Sequence, residues 1–586
     1  MESIDTGVKA PAPPGGSPDG SPGAGSVLNP ARWVILAVTL SAIFMQMLDT
    51  TITMVALPSL QSDLGSTFAE IQLVVAVYSL AFACVLVTGG RLGDIHGRRK
   101  IFLIGMLGFT LASALCGAAP NPTFLIGARV LQGMCSGLMF PQVLSIIQVT
   151  FSAKERPKAL AMYGASVGLG TVLGPVLGGW LIQLNILDTD WRAIFYVNLP
   201  VGLVALLLGL AKIPESSGGG ARRLDVAGAL ILSTGLFSLI LPLVIGREHD
   251  WPGWSLALLV LSPVVLAGFF WYENRLSHRA DKSPLVPTGL FKERSFTVGL
   301  VISVVFFAGI PSFFMVFFMS LQIGFGYTPI SAGFVSLGFA ALIAVGSARS
   351  AAVVKRLGTK TLALGTGLLL VGMSGVIGTL HWAGSDLHGY QLVPSLMIAG
   401  LGGGFFLAPC TGIILAGIRS REAGSASGML ATVQQVGIAV GIAVAGILFY
   451  GLLGSNADAA SRTALPTLRS DLAAAGLSQE QQAQVTNGFQ TCFHDRMNQK
   501  DLTATPASCA AVEKRVADAP MPAETKEKVR AAVLGTAVPE ARKSNFGDSF
   551  EQVVFWQIGC FGLSCLLVLA LPKVRPEDIA DVPGGA

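Results

Sequence analysis

A chain of 586 residues with 52% hydrophobic and only 12% charged residues, mean hydropathy +0.65 and a formal charge of +5 is not an ordinary soluble globule, in which about a quarter of residues are charged. It reads as an all-α polytopic membrane protein. Its basic residues fall between apolar runs rather than on one face, which argues against a nucleic-acid partner.

In chain order, residues 1–32 form a Pro-, Gly- and Ser-rich tail (APAPPGGSPDGSPGAG) that can bury little and is expected to be disordered. The first apolar run follows this polar lead and is longer than a secretory h-region, so it is expected to be retained. A hydrocarbon core about 30 Å thick needs about 20 helical residues. Fourteen runs satisfy that measure: 33–57, 71–90, 101–118, 123–148, 159–184, 193–212, 225–246, 254–273, 296–322, 330–348, 361–381, 391–418, 425–453 and 550–572. Residues 573–586 are left as a short tail.

Loops at the ends of even-numbered runs carry 4, 3, 3, 5, 4 and 2 Lys or Arg, whereas the short odd-numbered loops carry only Arg192 and Arg247, 21 against 2. Lys and Arg near span ends stay cytoplasmic. The expectation is a multi-pass protein of the cell membrane with both termini in the cytoplasm and segment 454–549 outside. That segment has 11 basic and 11 acidic residues and reads as a small solvated domain. Ser478 with Gln481 three residues later has a capping-box pattern. Cys492 and Cys509 are either a disulfide, which would stabilise by roughly 3 kcal/mol in the chain-entropy model, or two free thiols. The remaining cysteines lie in apolar runs without metal spacing and read as packing residues.

Asp49 is the one acidic residue expected deep in a span, and Arg129 the one basic residue well inside a boundary. A charge there costs about 2.5–3.5 kcal/mol on insertion scales. Counting 1.5 Å per residue places Asp49 roughly 12 Å and Arg129 roughly 9 Å below the outer ends of their runs, so the two share a depth. Gln46, Asp49, Thr50 and Thr53 form one polar face, and Arg129, Gln132 and Ser136 a second; the two faces are expected to meet. Burial disfavours the charged form of a carboxylate and a neighbouring cation favours it, so a site of this kind can bind a proton in one conformation and release it in another. The alternative is a fixed pair that only locks two helices together. Gln434 and Gln435, deep in the thirteenth run, are interhelical hydrogen-bond partners or ligand contacts.

The fifth run contains two small-residue rows, Gly164 with Gly168, and Gly170, Gly174 and Gly178, which permit close helix approach. Pro175, inside the second row, adds a weak point in the helix ladder. The glycines do not follow a strand and do not match a nucleotide loop. GxxxxGK[ST], HExxH and GxSxG are all absent. Neither an enzyme nor a metal site is expected, and no cofactor; energy would come from the proton motive force.

Several stretches together resemble the major facilitator superfamily. GGRLGDIHGRRK (89–100) is similar to its signature between spans 2 and 3, ARVLQG (128–133) to its span 4 motif, and GLGTVLGPVLGG (168–179) to its span 5 antiporter motif. LDTTITMVALP (48–58) and DWRAIFYVNLPVG (190–202) resemble additional signatures of its fourteen-span drug:proton antiporter branch. Ile95 and Met54 depart from the usual pattern, which has a basic residue and an Asn there.

The resemblance implies an N-terminal six-helix bundle (33–212), two inserted helices (225–273), C-terminal bundle helices 9–13 (296–453), the outer domain (454–549) and a last helix (550–572), around a cavity open alternately to either side. It implies proton coupling by Asp49 and Arg129, a gate of Asp94 and Arg98, and an antiporter helix carrying Gly170, Gly174, Pro175 and Gly178. Gln46, Thr53, Gln132, Gln434 and Gln435 are the expected cavity residues. The expected activity is proton-coupled export of an amphipathic small molecule by a monomer among membrane lipids. The alternatives are a lipid or siderophore exporter of the same fold and a non-transporting receptor or scaffold.

Overall fold

The computed structural model describes residues 30–152, 155–185, 188–216, 224–246, 249–278, 284–286, 288–415, 418, 423–499 and 505–572. Of the tails expected at 1–32 and 573–586, residues 1–29 and 573–586 lie outside the described residues, as do Arg419 and Arg421, while Arg32 already opens the first helix. Among the described residues there is no β-strand, and fourteen helices are long and apolar enough to cross a membrane.

Their starts follow local chemistry. Thr67 opens the second helix with a reciprocal cap: its hydroxyl accepts from Glu70 N at 3.3 Å and Glu70 Oε2 accepts from Thr67 N at 2.9 Å. Asn121 caps Phe124 N at 2.9 Å just ahead of Pro122, where the missing N–H costs nothing. Gly65 ends the first helix in the left-handed region, at φ 59°.

The first half comprises α1 (Arg32–Leu64), α2 (Phe68–His96), α3 (Arg98–Gly117), α4 (Pro122–Thr150), α5 (Arg156–Leu184) and α6 (Asn198–Lys212), the last entered through a short turn of helix at Ala193–Tyr196. The inserted pair is α7 (Val226–Ile245) and α8 (Gly253–Ser277). The second half contains α9 (Arg294–Met319), α10 (Pro329–Leu357), α11 (Lys360–Ala383), α12 (Gly389–Leu415) and α13 (Ala423–Ser455). Five shorter helices follow, α14 (Ala457–Thr463), α15 (Leu465–Ala474), α16 (Gln479–Asn498), α17 (Ala507–Asp518) and α18 (Ala523–Arg530), before α19 (Val538–Leu569) returns to the second half.

Within the halves α2 packs on α4 and α1 on α5, mirrored by α9 on α13 and α10 on α12. Between the halves α2 meets α13 and α5 meets α10, while α7 lies against both α2 and α13. The inserted pair therefore flanks the seam between the halves. Leu203, Val204, Leu207 and Leu210 of α6 and Val260 and Val264 of α8 are exposed. Such apolar stripes are costly in water and ordinary against lipid.

The helix ends depart from the sequence expectation in one notable place. α19 starts at Val538, well ahead of the apolar run at 550, because its polar opening turns bury Ala541, Asn545, Phe546 and Ser549. Asn545 Nδ2 donates to the Leu453 carbonyl at 3.0 Å, tying α19 to the end of α13. In the segment between these helices, Ser478 and Gln481 form a reciprocal cap on α16. Cys492 and Cys509 are joined in a disulfide between α16 and α17.

Candidate functional site

Asp49 sits mid-way along α1 with none of its surface exposed, and Arg129, Gln132 and Ser136 on α4 are equally buried. Arg129 Nη1 donates to Asp49 Oδ2 at 2.6 Å and to Gln132 Oε1 at 2.8 Å, and Gln132 Nε2 donates to Asp49 Oδ1 at 2.9 Å. The three side chains close a ring in which each is held by the other two. Arg129 Nε donates to the Val74 carbonyl of α2 at 3.0 Å, and its guanidinium lies 4.3 Å from the centre of the Tyr78 ring. A paired, hydrogen-bonded and aromatic-flanked guanidinium meets the conditions under which a buried charge persists.

Tyr78, Asn198 and Ser113 are not among the residues that the sequence pattern points to. Asn198, the first residue of α6, donates to Ser113 Oγ at 3.0 Å and reaches Asp49 Oδ1 at 3.5 Å. Ser113 of α3 in turn donates to the Phe195 carbonyl at 2.8 Å. Asn198 stands within the stretch DWRAIFYVNLPVG, and its polarity at the start of an apolar run was the available signal. The site thus draws on α1, α2, α3, α4 and α6. Arg129 Nη2, Asn198 Oδ1 and Gln46 Oε1 have no hydrogen-bond partner, so each keeps capacity for one more contact.

The residues expected to line a cavity separate into groups. Gln132 is engaged by Asp49 and Arg129. Thr53 is fully buried and donates to the Asp49 carbonyl at 2.7 Å, so its hydroxyl serves its own helix. Gln46 is buried one turn from Asp49, and Gln434 and Gln435 are half-buried on α13, in the other half.

The two glycine rows of α5 behave differently. A Cβ on Gly170 would come within 2.7 Å of Met47 Cβ, and one on Gly178 within 2.7 Å of Ile52 Cγ1. A Cβ on Gly174 would collide with Thr51 Oγ1. This row seats α5 on α1, beside Asp49, and Thr51 Oγ1 donates across it to the Gly170 carbonyl at 3.2 Å. Gly164 and Gly168 face open space. The tight row is therefore a seam within one half; the seam between halves uses Gly179, whose Cβ would meet Ile330 N at 2.7 Å, and Gly333, packed on the Pro175 carbonyl.

Gly446 of α13 packs on Gln72 of α2, and Gln322 Nε2 donates to the Val55 carbonyl at 2.9 Å. These inter-half contacts lie towards the end away from the basic loops. At the basic-loop end Gly164, Gly168 and Gly428 have nothing near a Cβ position.

Arg98 Nη2 meets Asp94 Oδ1 at 3.0 Å across the α2–α3 turn, so this pair is made within one half. Arg91 Nη2 instead reaches the Pro284 carbonyl at 2.6 Å, in the segment between α8 and α9. Among the described residues no group of three or more His, Cys, Asp or Glu is placed to hold a metal ion.

The family model for the Major Facilitator Superfamily matches residues 39–228 and 215–442. The chain is 36% identical to a probable actinorhodin transporter of Streptomyces coelicolor, over 99% of this chain and 100% of that one. It is 35% identical to the puromycin resistance protein of Streptomyces alboniger (71% of this chain, 81% of that one). Identity to the tetracenomycin C resistance and export protein of Streptomyces glaucescens is 32% (72% and 77%). Among solved structures, a bacterial homolog of the human lysosomal transporter Spinster, inward-facing and occupied, is similar in fold with a TM-score of 0.59 at 16% identity, over 94% of this chain and 99% of that one.

Proposed function

We propose, from the premise that this chain belongs to the Major Facilitator Superfamily, that it exports an amphipathic, antibiotic-like small molecule across the cell membrane in exchange for protons. The observation that carries the reading is the buried ring of Asp49, Arg129 and Gln132, a carboxylate that can take a proton only if its contacts rearrange. The named relatives, with their transport, resistance and export roles, support the substrate class.

Basic residues, 21 against 2, assign the even-numbered loops and both termini to the cytoplasm. In that orientation the Gly179–Ile330 and Gly446–Gln72 approaches between the halves lie at the outer end. Substrate enters from the cytoplasm while Asp49 is ionised and bound to Arg129 and Gln132. After the halves rock to the outward form, a proton from outside neutralises Asp49 and its hold on the guanidinium weakens. Substrate leaves, the halves rock back, and the proton passes to the cytoplasm as the ring re-forms. Asp94 with Arg98 steadies the inner end of α2 against α3, and the α5 glycine row transmits displacement of α1 to α5.

The test is proton flux in proteoliposomes under an imposed pH gradient, with candidate antibiotics supplied as substrates. Substrate-dependent flux that disappears in Asp49→Asn and persists in the exposed Asp518→Asn supports the reading. Equal flux in both variants overturns it.

A further inference from the structure

A second pair of acids lies where the inserted helices begin and end. Asp225 is the N-cap of α7: its Oδ1 accepts from Gly228 N at 3.0 Å and from Tyr272 Oη at 3.1 Å. Glu273, in the last turn of α8, has no exposed surface, and its Oε2 accepts from Val286 N at 2.9 Å. The other oxygen of each, Asp225 Oδ2 and Glu273 Oε1, has no hydrogen-bond partner. Both border the same point, the bare Cα of Gly228, where a Cβ would run into the two carboxyl groups together. Two buried carboxyl oxygens thus face one another across a glycine, and among the described residues neither acid has an ion-pair partner. Glu273 stands at the edge of its apolar run, and segment 284–286 folds over it.

We propose that Asp225 and Glu273 hold one proton between them, forming a proton-binding site distinct from Asp49 whose occupancy fastens segment 284–286 to the inserted helix pair. With one proton shared, the oxygens that face each other make a carboxyl–carboxylate hydrogen bond and Glu273 Oε2 stays aimed at Val286 N. With both acids ionised, two like charges confront each other at short range, an arrangement that buried carboxyl pairs do not sustain. Glu273 then turns outward and Val286 N loses its acceptor.

Among the described residues the groups facing the pair from neighbouring elements are few. Tyr272 of α8 donates to Asp225, Gly228 presents backbone only, and Arg91 of α2 reaches the segment through the Pro284 carbonyl. Leu285 and Val286 are buried in the core, so release of the segment exposes apolar surface as well as a backbone N–H. It also loosens the attachment of Arg91 at the end of α2, beside Asp94 and Arg98. The connection between α8 and α9 is the covalent link from the inserted pair to the second half. A proton at Asp225 and Glu273 therefore sets how firmly that link is docked on the first half. This site does not depend on Asp49 being the coupling residue, and its test does not use transport.

The experiment places a reporter thiol at Val286→Cys in the purified full-length chain and measures its reaction with a charged maleimide, normalised at each pH to a free thiol. The expected result is protection at low pH that falls by roughly tenfold or more as pH rises through the titration of the pair, the size of change that one proton-linked step can produce. Glu273→Gln keeps an acceptor for Val286 N and offers an amide to Asp225, so it should stay protected at every pH. Glu273→Ala should be labelled at every pH; where it fails to fold, the Gln variant alone decides. A normalised rate that is flat with pH in the intact pair overturns the proposal, as does a pH dependence that survives Glu273→Gln. The measurement is repeated with choline replacing sodium: a rate governed by sodium rather than pH would mean that a metal cation, not a proton, joins the acids.

Discussion

Two glycine rows on α5 look interchangeable in sequence, and the structure predicts opposite outcomes for the same substitution in each. In Gly174→Ala the new methyl occupies the place of Thr51 Oγ1 and lies 2.8 Å from Thr51 Cβ and 3.1 Å from Ile52 N. Overpacking of this kind costs about 1–3 kcal/mol. Relief of glycine's backbone entropy returns about 0.5–1 kcal/mol, leaving a net loss centred on about 1 kcal/mol and reaching at most about 2.5 kcal/mol. In Gly164→Ala and Gly168→Ala the methyl enters open space, so only the propensity gain of up to about 1 kcal/mol remains. The second-site variant Thr51→Ala removes the colliding oxygen and also its 3.2 Å bond to the Gly170 carbonyl, at a cost of about 0.5–1.5 kcal/mol. Because the two changes meet at one atom, Gly174→Ala with Thr51→Ala should be less destabilised than the sum of the singles by at least about 0.5 kcal/mol. The assay is reversible unfolding of the purified protein in mixed micelles of mild detergent and dodecyl sulfate. Equal stabilities for Gly164→Ala and Gly174→Ala, or strict additivity with Thr51→Ala, would refute the assignment of the row to the α1 face.

The inter-half seam makes a conformational prediction. A side chain at Gly179 would press on Ile330 N and the Pro329 carbonyl, both 2.7 Å from its Cβ and neither able to swing aside; Gly179→Leu should therefore wedge this end open. Spin labels at the ends of α5 and α10 nearest Gly179 would report a longer distance population than in the parent, and an unchanged distribution would remove Gly179 from the seal. The disulfide makes a stability prediction. Cys492 and Cys509 are 17 residues apart, so opening that loop should cost the α16–α17 hairpin roughly 3 kcal/mol. Reduction should render the hairpin sensitive to protease before the membrane helices; equal resistance in the oxidised and reduced protein would contradict this.

The spans and the meeting of Asp49 with Arg129 were legible because both follow from scarcity. In a chain with so few charges, a lone acid and a lone base at matching depths have few partners other than each other, and the apolar runs are long enough to identify themselves. The tertiary choices were not legible. Nothing in the spacing of Gly164, Gly168, Gly170, Gly174 and Gly178 says which row meets a neighbour, since that depends on the rotation of α5 against α1. The burial of Glu273 was not legible because a carboxyl at the edge of a run ordinarily reaches water, and its cover comes from a segment some ten residues further on. Asn198 is a short polar residue that only the packing of α6 against α3 brings to Asp49. The polar start of α19 continues a membrane helix outward because its buried face is supplied by neighbouring helices rather than by its own hydropathy.

In the proposed cycle the residues of α1 answer how one proton could move whole bundles. Asp49 binds Arg129 and Gln132; two residues on, Thr51 grips the Gly170 carbonyl of α5; four residues further, the Val55 carbonyl accepts from Gln322 of the second half. At 1.5 Å per residue these three attachments span roughly 9 Å of one continuous helix. Loss of charge at Asp49 frees the α4 side of this helix while its α5 side stays locked by the glycine row. α1 and α5 would then shift as one body, and the contacts such a shift brings back together as the halves return are those of Val55 with Gln322, Gly179 with Ile330, and Pro175 with Gly333, the contacts that close the outer end. Coupling needs no long relay, because the proton site and the seal are joined through the backbone of a single helix.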